Sequence, residues 1–158
     1  MDDRRSADIV VVTFANYPFA DTIEAMADWL PHSQWLAATA AEYAVGTPSV
    51  LAKIRLPGAA PSFTSASDFT AWVASRVGAE LPSPPSPSTL YVVVFPSGAS
   101  FSDPGIGSMC GSFTGYHDAV AGAYTFAAIG TCPNHVPGLS DAEQVERVFS
   151  HEVVEALT

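Results

Sequence analysis

The sequence predicts an α/β domain: a small mixed β-sheet with flanking helices, closed by a C-terminal helix that carries a metal motif. Three features lead there. Two β-branched runs, Asp8 to Ala15 (DIVVVTFA) and Leu90 to Phe95 (LYVVVF), lack polar alternation, as suits strands buried on both faces. Stretches with apolar residues at helical spacing separate the strand-like runs, which is the pattern of a layered α/β architecture. From Asp141 the chain reads DAEQVERVFSHEVVEALT, an amphipathic helix with His and Glu at ligand spacing on its flank.

The elements follow in order. After the first strand, Pro18 opens a helical stretch with Ile23, Met26, Ala27 and Leu30 on one face, and Pro31 ends it. Ser33 caps a second helix through about Tyr43, closed by Gly46. Ser49 to Leu56 alternates enough to be a strand, and Pro57, Gly58 and Pro61 turn the chain. Ser67 is a fair N-cap for a helix from Asp68 to about Leu81, with Phe69, Trp72, Val73 and Val77 on one face. Leu81 to Ser88 (LPSPPSPS) is a Pro/Ser-rich surface loop, too short to separate domains. Leu90 to Phe95 is a strand, Gly98 to Asp118 an aperiodic loop rich in Gly, Ser and aromatics, and Ala123 to Ile129 another strand. Ser140 caps the last helix, with Glu143 completing a capping box. No internal repeat is present, so the 158 residues form one domain.

Composition narrows the function classes. With 48% hydrophobic and 14% charged residues the chain is globular rather than disordered. No apolar run approaches the roughly 18 residues of a membrane span. The net charge of −10 reflects only six Lys and Arg, two of which (Arg4 and Arg5) lie in a segment, Met1 to Ser6, expected to be disordered. Clustered bases are absent, which argues against a nucleic-acid partner. An acidic surface serves solubility and also favours cationic ligands, metal ions among them. No signal peptide is visible behind Met1 to Ser6, and a mature secreted form would look the same. Cys110 and Cys132 are either unpaired core thiols or a disulfide stapling a loop to a strand; the Gly-rich segment between them favours the disulfide.

The chemistry concentrates in the final helix. At about 100° per residue, Val145, Val148, Phe149, Val153 and Ala156 form one apolar arc, and Glu152 falls inside it. A carboxylate there is costly unless paired, protonated or on a metal. His151 and Glu155 stand one turn apart on the flank of the arc and can converge on one ion. The HExxH zinc peptidases use two His ligands and an intervening Glu base; here the motif is HExxE, His151-Glu152-Val153-Val154-Glu155. Glutamate is an acceptable zinc ligand, although it leaves the ion a weaker Lewis acid than imidazole does. The motif alone also fits a surface His with two solvated carboxylates.

Several segments together resemble a known family. SHEVVEALT resembles the SHELAEA(A/V)T stretch of secreted bacterial proteins related to the plant EXORDIUM, or phosphate-induced, proteins. Ala41 to Gly46 (AEYAVG) is similar to that family's EYGVG, Met109 to His117 (MCGSFTGYH) to its Cys- and GYH-containing loop, and Ala123 to Cys132 (AYTFAAIGTC) to its strand leading into a second Cys. The resemblance implies a zincin-like fold, secretion and a bound metal. It also implies a further C-terminal segment, with an acidic EIGD-type stretch that could supply a third ligand and complete the site.

Other residues carry alternatives. His117 is a candidate third ligand or oxyanion stabiliser and Tyr116 a candidate stabiliser of a tetrahedral intermediate, although loop residues of these types more often are simply solvated or packed. His135 is a weaker ligand candidate, and Cys110 as a nucleophile with His117 competes with the disulfide. No nucleophile elbow, Walker loop or dinucleotide fingerprint occurs. The first reading is an extracellular zinc-dependent hydrolase acting on a peptide or protein, with His151 and Glu155 on zinc and Glu152 as general base on metal-activated water. The second is a non-catalytic secreted ligand- or partner-binding module on the same scaffold, its metal site structural or degenerate. A plain α/β domain with the motif helix packed as core is the third.

Overall fold

The computed structural model of the protein describes residues 6–82 and 85–158. Five strands form the main sheet: β1 (Asp8–Phe14), β2 (Ser49–Leu56), β3 (Thr89–Phe95), β6 (Gly115–Val120) and β7 (Tyr124–Gly130), in the order β2-β1-β3-β7-β6. Two short strands, β4 (Ser102–Asp103) and β5 (Gly107–Ser108), pair antiparallel in a separate hairpin. The pairs β1–β2, β1–β3 and β3–β7 are parallel, whereas β6 runs antiparallel to β7 and occupies the edge. The expected α/β architecture with a mixed sheet is therefore present.

Four α-helices cover the sheet: α1 (Ala20–Trp29), α2 (Gln34–Tyr43), α3 (Ala66–Arg76) and α4 (Asp141–Leu157). Alternation sorts the central strands between two cores. Ile9, Val11, Leu90, Val92, Val94, Ala127 and Ile129 point to the side of α1, α2 and α4, where they meet Ile23, Leu36, Val145, Phe149 and Val153. Val10, Val12, Phe14, Tyr91, Val93, Phe95 and Phe126 point to the other side and pack on α3 through Phe69 and Val73. Both faces are covered, so β1 and β3 read as continuous apolar runs.

An aromatic cluster replaces a second helix on the α3 side. Phe69 contacts Phe63, Phe95, Phe101 and Phe126 with ring centroids 5.1–5.9 Å apart. Offset and edge-on contacts of this kind add to the area each ring buries. At the opposite edge, β2 is half exposed, and its basic residues are tied to α1: Lys53 Nζ lies 2.6 Å from Asp28, and Arg55 pairs with Glu24 and Asp21.

Several boundaries differ from the sequence reading, each for a local reason. The cap of α3 is Ser65, not Ser67; its hydroxyl accepts the Asp68 amide at 3.0 Å. That helix stops at Arg76 rather than near Leu81, because Val77 turns extended and Gly78 takes φ +82°. Helix α2 closes at Ala44, which adopts φ 55°, two residues before Gly46. The first helix starts at Ala20 rather than at Pro18. Most consequential, the Gly98 to Asp118 stretch is not all loop: it holds the β4–β5 hairpin and the first residues of β6. As an edge strand with exposed and half-buried positions, β6 has no run of apolar residues to announce it. Residues 1–5 and 83–84, which include most of the expected disordered N-terminus and part of the Pro/Ser loop, lie outside the described residues.

Cys110 and Cys132 are joined, with their Cα atoms 5.2 Å apart. The bond ties the approach to β6 onto the segment leaving β7. Its 22-residue separation predicts about 3 kcal/mol of stabilisation on loop-closure grounds. Reduction should lower the unfolding free energy by that amount, read from urea melts with and without dithiothreitol; an unchanged midpoint would show that the staple is energetically idle.

Candidate metal centre and cleft

Helix α4 begins with a complete capping box. The Ser140 hydroxyl accepts the Glu143 amide at 3.3 Å, and the Glu143 carboxylate accepts the Ser140 amide at 2.8 Å. Its apolar arc docks on the sheet as the rotation predicts, with Val145, Phe149, Val153 and Leu157 buried. Glu152 lies within that arc and is 3% exposed.

Glu152 is accommodated by the strand beneath it. Gly115 of β6 faces α4, and a Cβ there would come closer than 3.0 Å to Glu152 Oε1 and within 2.6 Å of Val148 Cγ1. Two residues along, His117 pairs with Ala127 of β7 and so shares the α4 face. Its Nδ1 stands 3.0 Å from Glu152 Oε2 and 3.4 Å from Glu155 Oε2. From the other side, His151 Nε2 lies 3.2 Å from the same Glu155 oxygen. Ligand atoms of His117, Glu152 and Glu155 all fall within 4.8 Å of one another, so this triad could hold a metal ion.

The one hydrogen that Nδ1 of His117 can carry cannot serve both carboxylates that face it. A cation among them would take one donor atom from each group at once. Burial is the main cause that pushes the Glu152 carboxyl above its ordinary range; the bond to His117 and the charges of His117 and His151 partly oppose it, while Glu155 adds to it. A buried carboxyl with a raised pKa beside a cleft is a common property of groups that move protons.

The expected residues separate cleanly. Glu152, Glu155 and His117 come together, and His151 joins them through Glu155, although its side chain is 61% exposed. Tyr116 does not join, because strand alternation sends it to the opposite face. There it packs against Phe101 and Phe126 and donates to Asp118 at 2.9 Å, and burial with that bond raises its pKa to about 12. Cys110 is consumed by the disulfide and is no nucleophile.

A cleft of about 400 Å³ opens beside the cluster, between α4, the start of β6 and the segment after β7. Its walls include Thr114, Cys132, His135, Arg147, His151 and Glu152. One wall is pinned by Gln144, whose buried Oε1 accepts the Val136 amide at 2.8 Å. Compared with protein-family models, curated proteins and solved structures, the chain matches none. Two contributors were not singled out in the sequence: Gly115, whose signal was a Gly two residues before a His, and Arg147, one helical turn ahead of His151.

Two outcomes test this geometry. Gly115→Ala should destabilise the fold by roughly 1–3 kcal/mol, the usual range for overpacking, because the added Cβ displaces Glu152 and Val148. An unperturbed melting temperature would mean that Glu152 does not sit over β6. The second concerns protons. In metal-free protein the folded chain keeps a proton on Glu152 that the unfolded chain has lost as pH climbs from the ordinary carboxylate range to the raised folded value. Stability falls across that window, and the contribution is fully present only below it. Glu152→Gln should therefore be more stable than wild type by about 1 kcal/mol near neutrality. The gap should close at about pH 4. Chelator-treated samples melted across this range would show it, and a gap that does not change with pH would contradict it.

Proposed function

We propose that the domain is a zincin-like, zinc-dependent hydrolase that acts on peptide bonds outside the cell. His117, His151 and Glu155 hold the ion, and Glu152 is the general base. The observation that carries this reading is the position of Glu155 Oε2 between two imidazole nitrogens, 3.4 Å from His117 Nδ1 and 3.2 Å from His151 Nε2. Donors around a tetrahedral zinc with bonds of 2.0–2.1 Å sit about 3.3 Å apart, so Glu155 stands at that spacing from each histidine, and the two histidines would have to draw together on binding. The imidazole and carboxylate donors are of the type that zinc accepts. The disulfide suits an oxidising compartment, and no helix among the described residues is long and apolar enough to cross a membrane. The order of elements, sheet before motif helix, and the resemblance to EXORDIUM-related secreted proteins support the same reading.

A bound zinc ion would supply Lewis acidity to the scissile carbonyl and to the attacking water. The chain's own residues do the rest. Glu152 takes a proton from the water as its oxygen attacks the carbonyl carbon, and gives that proton to the amine as the C–N bond breaks. The outer edge of β6 pairs with no other strand among the described residues, so an extended peptide can add there and run past Glu152.

A second reading rests on one specific observation: the three groups within 4.8 Å of one another are His117, Glu152 and Glu155. With Glu152 as a ligand no base remains, and the domain is a non-catalytic binding module with a structural metal. One variant separates the two. In the hydrolase, Glu152→Gln keeps about one zinc per chain by elemental analysis, while turnover of a peptide library falls roughly 10²–10⁴-fold. In the binding module, Glu152→Gln loses the metal and wild type cleaves nothing. In both, His117→Ala should weaken zinc binding at least about 100-fold.

A further inference from the structure

The chain has 16 Asp and Glu against six Lys and Arg. Four of those bases are described, and three are committed to acids: Lys53 to Asp28, Arg55 to Glu24 and Asp21, and Arg76 to Glu80. Arg147 alone makes no ion pair among the described residues, and it lines the cleft. The ionisable groups around that cleft are Arg147, His135, His151 and one acid, Glu152. On the same count this wall is balanced, one base to one acid, where the whole molecule is acidic. A guanidinium left without an acid in a protein of net charge −10 is available to a ligand's own carboxylate, which it can take through two parallel N–H bonds.

We propose that Arg147 is the specificity determinant of the cleft and that its ligand is a peptide bearing a carboxylate close to the bond presented at Glu152. The inference rests on the hydrolase reading only for the placement of that bond. Arg147 precedes His151 by four residues and Glu152 by five, which is about 6 and 7.5 Å along the helix axis. An extended peptide advances about 3.3 Å per residue, so the carboxylate belongs about two residues from the bond. Two sources fit: an Asp or Glu side chain at that position, or the peptide's own C-terminal carboxylate. The Gln144 bond to Val136 and the disulfide at Cys132 hold the facing wall, so the site is built before the peptide arrives.

The test is peptide binding rather than turnover, measured on the E152Q protein so that cleavage does not consume the probe. Three fluorescent hexapeptides of otherwise identical neutral sequence are compared by anisotropy. One has a central Glu and an amidated C-terminus, one a central Gln and an amidated C-terminus, and one a central Gln and a free C-terminal carboxylate. At least one carboxylate peptide should bind about 10-fold or more tightly than the amidated Gln peptide. The peptide that does so identifies the source. Adding Arg147→Gln should erase the preference, and Arg147→Lys should restore only part of it. Equal binding of all three peptides, or a preference that survives Arg147→Gln, overturns the proposal. A carboxylate preference in a protein whose wild type cleaves nothing would uphold the anion site and refute the hydrolase. Cleavage by wild type without any carboxylate preference would do the opposite.

Discussion

The site depends on keeping one carboxylate out of water. Glu152 occupies a position on α4 that belongs, by helical phase, to the apolar arc packed on the sheet. A charged group in that seam is tolerated only with a partner, and the partner has to come from the sheet rather than from the helix. His117 fills that role at 3.0 Å, and the register of β6 against β7 places it on the correct face. Gly115 completes the arrangement, since any side chain there would occupy the volume of the carboxylate. Three residues on two elements are thus mutually required, and the approach of α4 to the sheet edge follows from them.

Holding β6 in place is the work of the opposite face. An antiparallel edge strand with exposed and half-buried residues gains little from its own burial. It is anchored from behind by Tyr116 in the Phe101–Phe126 cluster, and at its start by the Cys110–Cys132 bond. The backbone continues the tie, with the Gly130 amide donating to Thr114 at 2.8 Å and the Thr131 amide to Phe95 at 3.0 Å. The aromatic face and the disulfide therefore position His117 without touching it. Tyr116 is an instance of how strand alternation divides labour: neighbouring residues of one motif serve opposite faces, one structural and one chemical.

The electrostatics of the molecule point the same way. Most described bases sit in ion pairs on α1, β2 and α3, away from α4. The cleft retains Arg147 and two histidines beside a single buried acid. An acidic molecule that keeps one arginine free of ion pairs among the described residues, at a cleft, repels anions broadly and can accept them at one place, which favours selection over affinity.

Periodicity and composition are enough to reveal several features of the molecule. These are the buried strands at β1 and β3, the capped amphipathic α4 with Glu152 on its apolar arc, the one-turn spacing of His151 and Glu155, and the scarcity of bases. The disulfide was one of two readings, favoured by the Gly-rich segment between the cysteines. Tertiary structure alone decided that the aromatic, Gly-rich stretch ends in an edge strand, that His117 and not Tyr116 meets the motif helix, and that Gly115 clears the space. The reason is physical. Helical phase is a local property, readable within seven residues, whereas the face of an edge strand is set by its hydrogen-bond register with a neighbour. A shift of one residue in that register exchanges every side chain between the two faces.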